Sequence, residues 1–205
     1  IAAFYGARHP EVPAVFNLDG HGPGDASLYD AMSPEDVETA RSRMVPPAPA
    51  WYGSEGDAVW KATALAEARQ VNLALGVPEE ETEAWAARDF VNLGGGRWRR
   101  HPALDLGALN QDARMFDVYR RIESPLLIVV SGSHRGLPEE VVPIMTAYRR
   151  GLDRAFSELA AERHSVRVVK LEEADHNSLA GRHAADTVAV VAGFLTDAGY
   201  GPRTA

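Results

Sequence analysis

Cysteine is absent from the 205 residues, which removes disulfides, thiolate nucleophiles and cysteine-held zinc or iron–sulfur centres together. Basic residues are the minority, with a formal net charge of −8. The densest basic run is Arg97-Trp98-Arg99-Arg100, so a nucleic-acid surface is not expected. No apolar run approaches the ~20 residues of a membrane span, and the first residues lack the charged-then-apolar layout of a signal peptide. We therefore expect a cytoplasmic protein with no membrane contact. The seven histidines show no His-x-x-x-His or comparable ligand spacing, so neither a metal nor another cofactor is implied. The loop Gly20-His21-Gly22-Pro23-Gly24 is rich in glycine, yet it lacks the Lys-Ser/Thr ending and helix start of a phosphate loop. An initiating methionine is also missing: Ile1-Ala2-Ala3-Phe4 begins in the middle of an apolar helical pattern. We expect the C-terminal part of a longer protein.

The hydrophobic fraction of 45% and charged fraction of 24% are ordinary for a globular chain. The length suits one good core, or a core with a smaller lid. A helix is predicted over 1–9, ending before Pro10. Residues 12–18 form a short apolar run closed by Asp19-Gly20, read as a buried parallel strand. From 25 to 118 the pattern turns helical. Ser33-Pro34-Glu35-Asp36 opens a helix to about 44, and Ser54 caps one to about 75 with Val59, Ala62, Ala66 and Leu73 on its inner face. Pro78 starts another to about 92, Gly94-Gly95-Gly96 is a flexible break, and Asn110 caps a last one to 122.

Strands then resume. Pro125-Leu126-Leu127-Ile128-Val129-Val130 is the clearest in the chain, and 166–171 the next, with a helix over 139–162 between them. A final helix over 182–195 carries Val188, Val191, Ala192 and Leu195 as its buried stripe. This order implies an α/β fold with a mostly parallel sheet. His176 falls in the loop between the last strand and last helix. That is a rigid position for the one side chain that exchanges protons near neutral pH. A loop histidine without a role is the plainer alternative.

Several segments are similar to those of α/β-hydrolases. Ala3-Phe4-Tyr5-Gly6-Ala7-Arg8-His9-Pro10-Glu11 resembles the helix after the family's nucleophile elbow, and Val15-Phe16-Asn17-Leu18-Asp19-Gly20 its sixth strand. Ile122-Glu123-Ser124-Pro125-Leu126-Leu127-Ile128-Val129-Val130-Ser131-Gly132 is similar to the seventh. Ala174-Asp175-His176-Asn177 falls where the family places its catalytic histidine. The resemblance implies a hydrolase core at 1–24 and 119–205, with strands six to eight, and a helical cap inserted at 25–118. It also implies a Gly-x-Ser-x-Gly elbow directly before the first helix. No such motif occurs in this sequence, so the nucleophile is expected upstream, in an N-terminal portion that partners this one. Strands this apolar would be an aggregation hazard without that partner, so the chain alone is not expected to be soluble.

A serine nucleophile needs a base, and the base needs a group that fixes its tautomer. His176 is the base the resemblance implies. The family's usual acid, in the loop after the seventh strand, is missing from Gly132-Ser133-His134-Arg135-Gly136. A minority of members carry it after the sixth strand, which here offers Asp19; Glu139 and Asp175 are the other candidates. Asp19 could equally be a turn residue before a glycine. His21 borders the same loop. Trp51, Trp60 and Trp85 of the cap are candidate substrate contacts, although a small lid needs bulky residues for its own core. The expected function is cleavage of an ester, thioester or related acyl bond of a small molecule. Alternatives are an epoxide or haloalkane hydrolase with an aspartate nucleophile, an acyl-transferring or cyclising thioesterase, and a non-catalytic receptor or scaffold of the same fold.

Overall fold

The computed structural model describes residues 2–21, 25–44, 53–74, 79–101, 114–133, 139–176 and 178–200. In chain order these form α1 (Ala2–Gly6), β1 (Val15–Leu18), α2 (Pro34–Met44), β2 (Glu55–Gly56), α3 (Ala58–Ala74), α4 (Glu79–Ala87), β3 (Phe90–Gly94), β4 (Arg97–Arg100), α5 (Met115–Arg120), β5 (Leu126–Ser131), α6 (Val142–Glu162), β6 (Val166–Leu171) and α7 (Ala184–Leu195). The expected parallel sheet is present, in the order β1-β5-β6. Val15 pairs with Leu126 at one end of β5, and Ser131 with Leu171 at the other.

β5 is buried along its whole length, and its alternating side chains serve two layers. Leu126, Ile128 and Val130 enter a core with Val15, Phe116, Tyr119, Ile144, Leu152 and Phe156. Leu127 and Val129 point the other way, to Ala174, Leu179 and Phe194. A strand covered on both faces reads as a continuous apolar run, which is why this one was legible. Burying each such side chain contributes about 1.5–3 kcal/mol.

α7 turns a different face inward from the one its sequence suggested. Thr187 and Phe194 are buried, with Val190 and Val191 beside them, whereas Val188 is 64% exposed and Ala192 is also exposed. Ala184–Leu195 is apolar nearly all round, so periodicity could not fix its rotation. The same holds for α3, where Val59 is 74% exposed while Trp60 is half-buried.

The stretch 25–118 is not purely helical. It holds α2, with the expected bounds, and also a small antiparallel sheet in the order β2-β4-β3. Gly94, Gly95 and Gly96, expected to be a flexible break, are the hairpin turn, with φ of +83°, +59° and +76°. Those angles suit glycine, and three in a row let β4 fold back on β3. The cap of α3 is Asp57, whose Oδ1 accepts the Val59 and Trp60 N–H groups at 3.0 and 2.9 Å. Ser54 instead precedes β2. Asn110 and Trp51 lie outside the described residues.

Gly151 marks the tightest approach between layers: a methyl group there would run into the Leu28 carbonyl. Inside a helix, Gly→Ala ordinarily stabilises by about 1 kcal/mol, but overpacking against backbone costs about 3 kcal/mol. Sterics should win. We expect Gly151→Ala to destabilise the protein by about 2 kcal/mol net, read as a lower denaturant midpoint in chemical unfolding.

Candidate active site

The carboxyl ends of the three parallel strands converge on one point, where open α/β sheets bind ligands. Asp19 follows β1, Ser131 ends β5, and His176 lies in the loop after β6. The imidazole Nδ1 of His176 is 3.1 Å from Asp19 Oδ2, across 157 positions of sequence. The histidine side chain is 66% exposed and the aspartate's only 12%. The ring thus turns one nitrogen to a sheltered carboxylate and leaves the other for whatever approaches the crevice.

Local geometry explains how each group reaches this point. Asp19 takes φ +57°, a left-handed conformation that aspartate tolerates better than most residues. Asn17 braces the turn: its Oδ1 accepts the Gly20 N–H at 2.7 Å, and its amide donates to the Gly20 carbonyl at 3.3 Å. The chain thereby reverses just past β1 and sends the Asp19 side chain sideways to β5. There the Ser131 N–H donates to Oδ1 at 3.0 Å and the Ser131 hydroxyl to Oδ2 at 2.6 Å. The His176 loop is held by Asp175 and Ser178, the Ser178 N–H donating to Asp175 Oδ1 at 3.0 Å and the Asp175 N–H to Ser178 Oγ at 3.0 Å. It is also tied to the end of β5, since Ser133 N–H donates to the Ala174 carbonyl at 2.8 Å. Gly132 makes that approach possible, because a methyl group there would strike the backbone of Glu172.

Electrostatics follow from these contacts. Burial works to raise the Asp19 pKa, but the hydrogen bonds from His176 and Ser131 outweigh it and hold the carboxyl below its usual range. The same hydrogen bond raises the His176 pKa, against its partial burial, and the charge of Asp19 adds to the effect. His21 behaves oppositely. It is buried, and burial pushes it down to about 4, although Asp19 opposes the shift. Its Nδ1 lies 2.9 Å from the Tyr119 hydroxyl, which also receives a hydrogen bond from the Asn17 amide. His21 Nε2 is buried without a hydrogen-bond partner among the described residues and lies 3.9 Å from Asp19 Oδ1.

Of the candidates read from the sequence, the structure brings together Asp19 and His176, with His21 behind them. The other two acids point elsewhere. Asp175 accepts from Ser178, and Glu139 is exposed in the 3-10 turn before α6. Trp60 of α3 packs edge-on against Phe90 of β3, with ring centroids 5.8 Å apart. Trp85 lies on α4, next in sequence to β3. Four residues of this neighbourhood escaped the sequence reading: Asn17, Tyr119, Ser131 and Arg149. Arg149 carried the faintest signal, following the buried pair Ala147-Tyr148 on the inner side of α6. Among the described residues no group of histidines and acids could hold a metal ion, and no helix is long and apolar enough to cross a membrane.

No family model matches the sequence, and no curated protein does either. Solved structures do. The chain is similar to the crystal structure of an E-2-(acetamidomethylene)succinate hydrolase, with 16% identity and a TM-score of 0.51 over 95% of this chain and 62% of that one. A thioesterase domain from the curacin biosynthetic pathway gives 18% identity and a TM-score of 0.49, again over 95% of this chain and 62% of the other. The chain thus spans about three-fifths of the length of the structures it matches.

Proposed function

We propose that this chain, which has the α/β-hydrolase fold, carries the base and acid of a hydrolytic site that cleaves an ester, thioester or related acyl bond. The observation that carries the reading is the bond between His176 Nδ1 and Asp19 Oδ2 at 3.1 Å, at the carboxyl end of a parallel sheet. An imidazole held this way keeps its proton on Nδ1 and presents Nε2 as a proton acceptor. The nucleophile of this reading is a serine hydroxyl from an N-terminal portion of the same hydrolase.

His176 Nε2 takes the hydroxyl proton as the serine oxygen bonds to the acyl carbon, then passes that proton to the departing alcohol or thiol. A water molecule next gives a proton to Nε2 and its oxygen to the acyl carbon. The acyl–serine bond breaks, the serine recovers its proton, and the acid leaves. Asp19 stays ionised throughout and offsets the imidazolium charge. In this reading the segment 25–118, which includes the β2-β4-β3 sheet, serves as a cap for a small-molecule acyl substrate.

A fluorophosphonate probe tests this on the complete protein. The serine should displace fluoride and leave a phosphonyl adduct, seen as a mass increase on one peptide outside residues 1–205. His176→Gln should slow labelling by about a thousandfold. If the complete protein takes up no probe, the serine-hydrolase reading fails.

A further inference from the structure

In place of an acid, the carboxyl end of β5 offers hydrogen-bond donors. Ser131 is fully buried and donates to both oxygens of Asp19, through its N–H at 3.0 Å and its hydroxyl at 2.6 Å. Behind it stands Arg149 of α6. One arm of the guanidinium donates to the Ser131 carbonyl at 2.6 Å, and the other to Ser131 Oγ at 3.1 Å and the Ser133 carbonyl at 2.9 Å.

We propose that Arg149 and Ser131 form a positioning clamp that sets Asp19 for His176. The reason lies in hydrogen counting. A serine hydroxyl has one hydrogen, and its orientation is free unless its surroundings fix it. Arg149 has donors only, so its contact with Oγ occupies a lone pair and turns the hydroxyl hydrogen away. The carboxylate of Asp19 lies on that other side. The two carbonyl contacts pin the strand end, so the fork fixes both the Ser131 N–H and its hydroxyl. Asp19 sits in a left-handed turn, and among the described residues its carboxylate otherwise meets only His176 and, more distantly, His21 at 3.9 Å. Without the clamp its carboxylate could rotate off the imidazole. Arg149 and Ser131 touch no substrate in this scheme; they act through Asp19.

The proposal rests on reading Asp19 and His176 as acid and base, but its test does not require turnover. In proton NMR of the complete protein, the Nδ1–H of His176 should give a low-field signal, assigned by its loss in His176→Gln. In Ser131→Ala and Arg149→Met that signal should broaden or move upfield. Where turnover is measurable, kcat should drop about tenfold to a hundredfold, with KM within about twofold. An unmoved signal in both variants, with folding intact by circular dichroism, overturns the clamp. So does a signal lost in Arg149→Met but unchanged in Ser131→Ala, since Arg149 would then not act through the hydroxyl. Should Arg149→Met fail to fold, Ser131→Ala decides by the same signal. If the signal responds while the parent hydrolyses nothing and takes no probe, the clamp stands and the hydrolase reading falls.

Discussion

Replacing His176 by alanine is expected to lower kcat/KM of the complete protein by about 10⁴-fold or more while leaving the fold intact. The size follows from the proposed role: removing the base of a nucleophile–base pair removes nearly all covalent catalysis, leaving what binding and orientation still supply. The intact fold follows from its surroundings. His176 is two-thirds exposed, and its side chain is bonded to Asp19. Asp19 would keep both donors from Ser131, so no buried charge loses all its partners. Initial rates on a panel of aryl esters and thioesters, with circular dichroism as the control, check the prediction. Activity within tenfold of the parent would remove His176 from the mechanism.

The second large effect is expected from Asp19→Asn, at about 10³- to 10⁴-fold in kcat. The exchange changes little in volume but reverses one end of the group. Where Asp19 Oδ2 accepts from the Ser131 hydroxyl and His176 Nδ1, an asparagine amide there would present hydrogens. If the amide instead turns its oxygen that way, its NH₂ faces the Ser131 N–H now bonded to Oδ1, donor against donor. In the first orientation the imidazole is favoured with its hydrogen on Nε2, unable to accept the nucleophile's proton. KM should change much less than kcat, because neither group is assigned a substrate contact.

The pH dependence carries its own sign. Asp19 raises the His176 pKa above its ordinary 6.5, and the base works only when neutral, so activity should climb with pH through that raised value. In Asp19→Asn the residual activity should climb at lower pH, nearer 6.5. Stability runs the other way for His176. Its raised folded pKa contributes stability that is full below 6.5 and lost as pH rises through the folded value. For Asp19, whose pKa is depressed below 3.8, the contribution is present above 3.8 and lost as pH falls through the folded value. The pair therefore supports the fold most between about 4 and 6.5. Thermal unfolding across this range in parent and Asp19→Asn measures it.

The sequence alone determined the elements whose surroundings are uniform. β5 is covered on both faces and could only read as an apolar run, and β6 occupies the residues expected of it. α2 begins where Ser33 and Pro34 place it: the Asp36 N–H donates to Ser33 Oγ at 3.1 Å. The loop after β6, and hence His176 as a candidate, followed from those elements, whereas Asp19 entered through the resemblance to α/β-hydrolases. Rotation of α7 and α3 did not, because both are rich in small apolar residues on every side. The hairpin of the β2-β4-β3 sheet was hidden too, since three glycines signal flexibility as readily as a tight turn until a partner strand is seen.

Only the tertiary structure decided which carboxylate meets the imidazole. Three acids were open on sequence grounds, and the choice depended on parallel pairing that sets the end of β1 beside the end of β5. It depended equally on a reversal at Asn17 and Gly20 that turns Asp19 across that end. The supporting residues were invisible for the same reason. Ser131 and Arg149 are unremarkable in their own segments, and gain a role from hydrogen bonds that cross between strand ends and a helix. Side-chain chemistry is written locally, but the direction of the Ser131 hydrogen is set by neighbours on other elements, Arg149 18 positions away and Asp19 112.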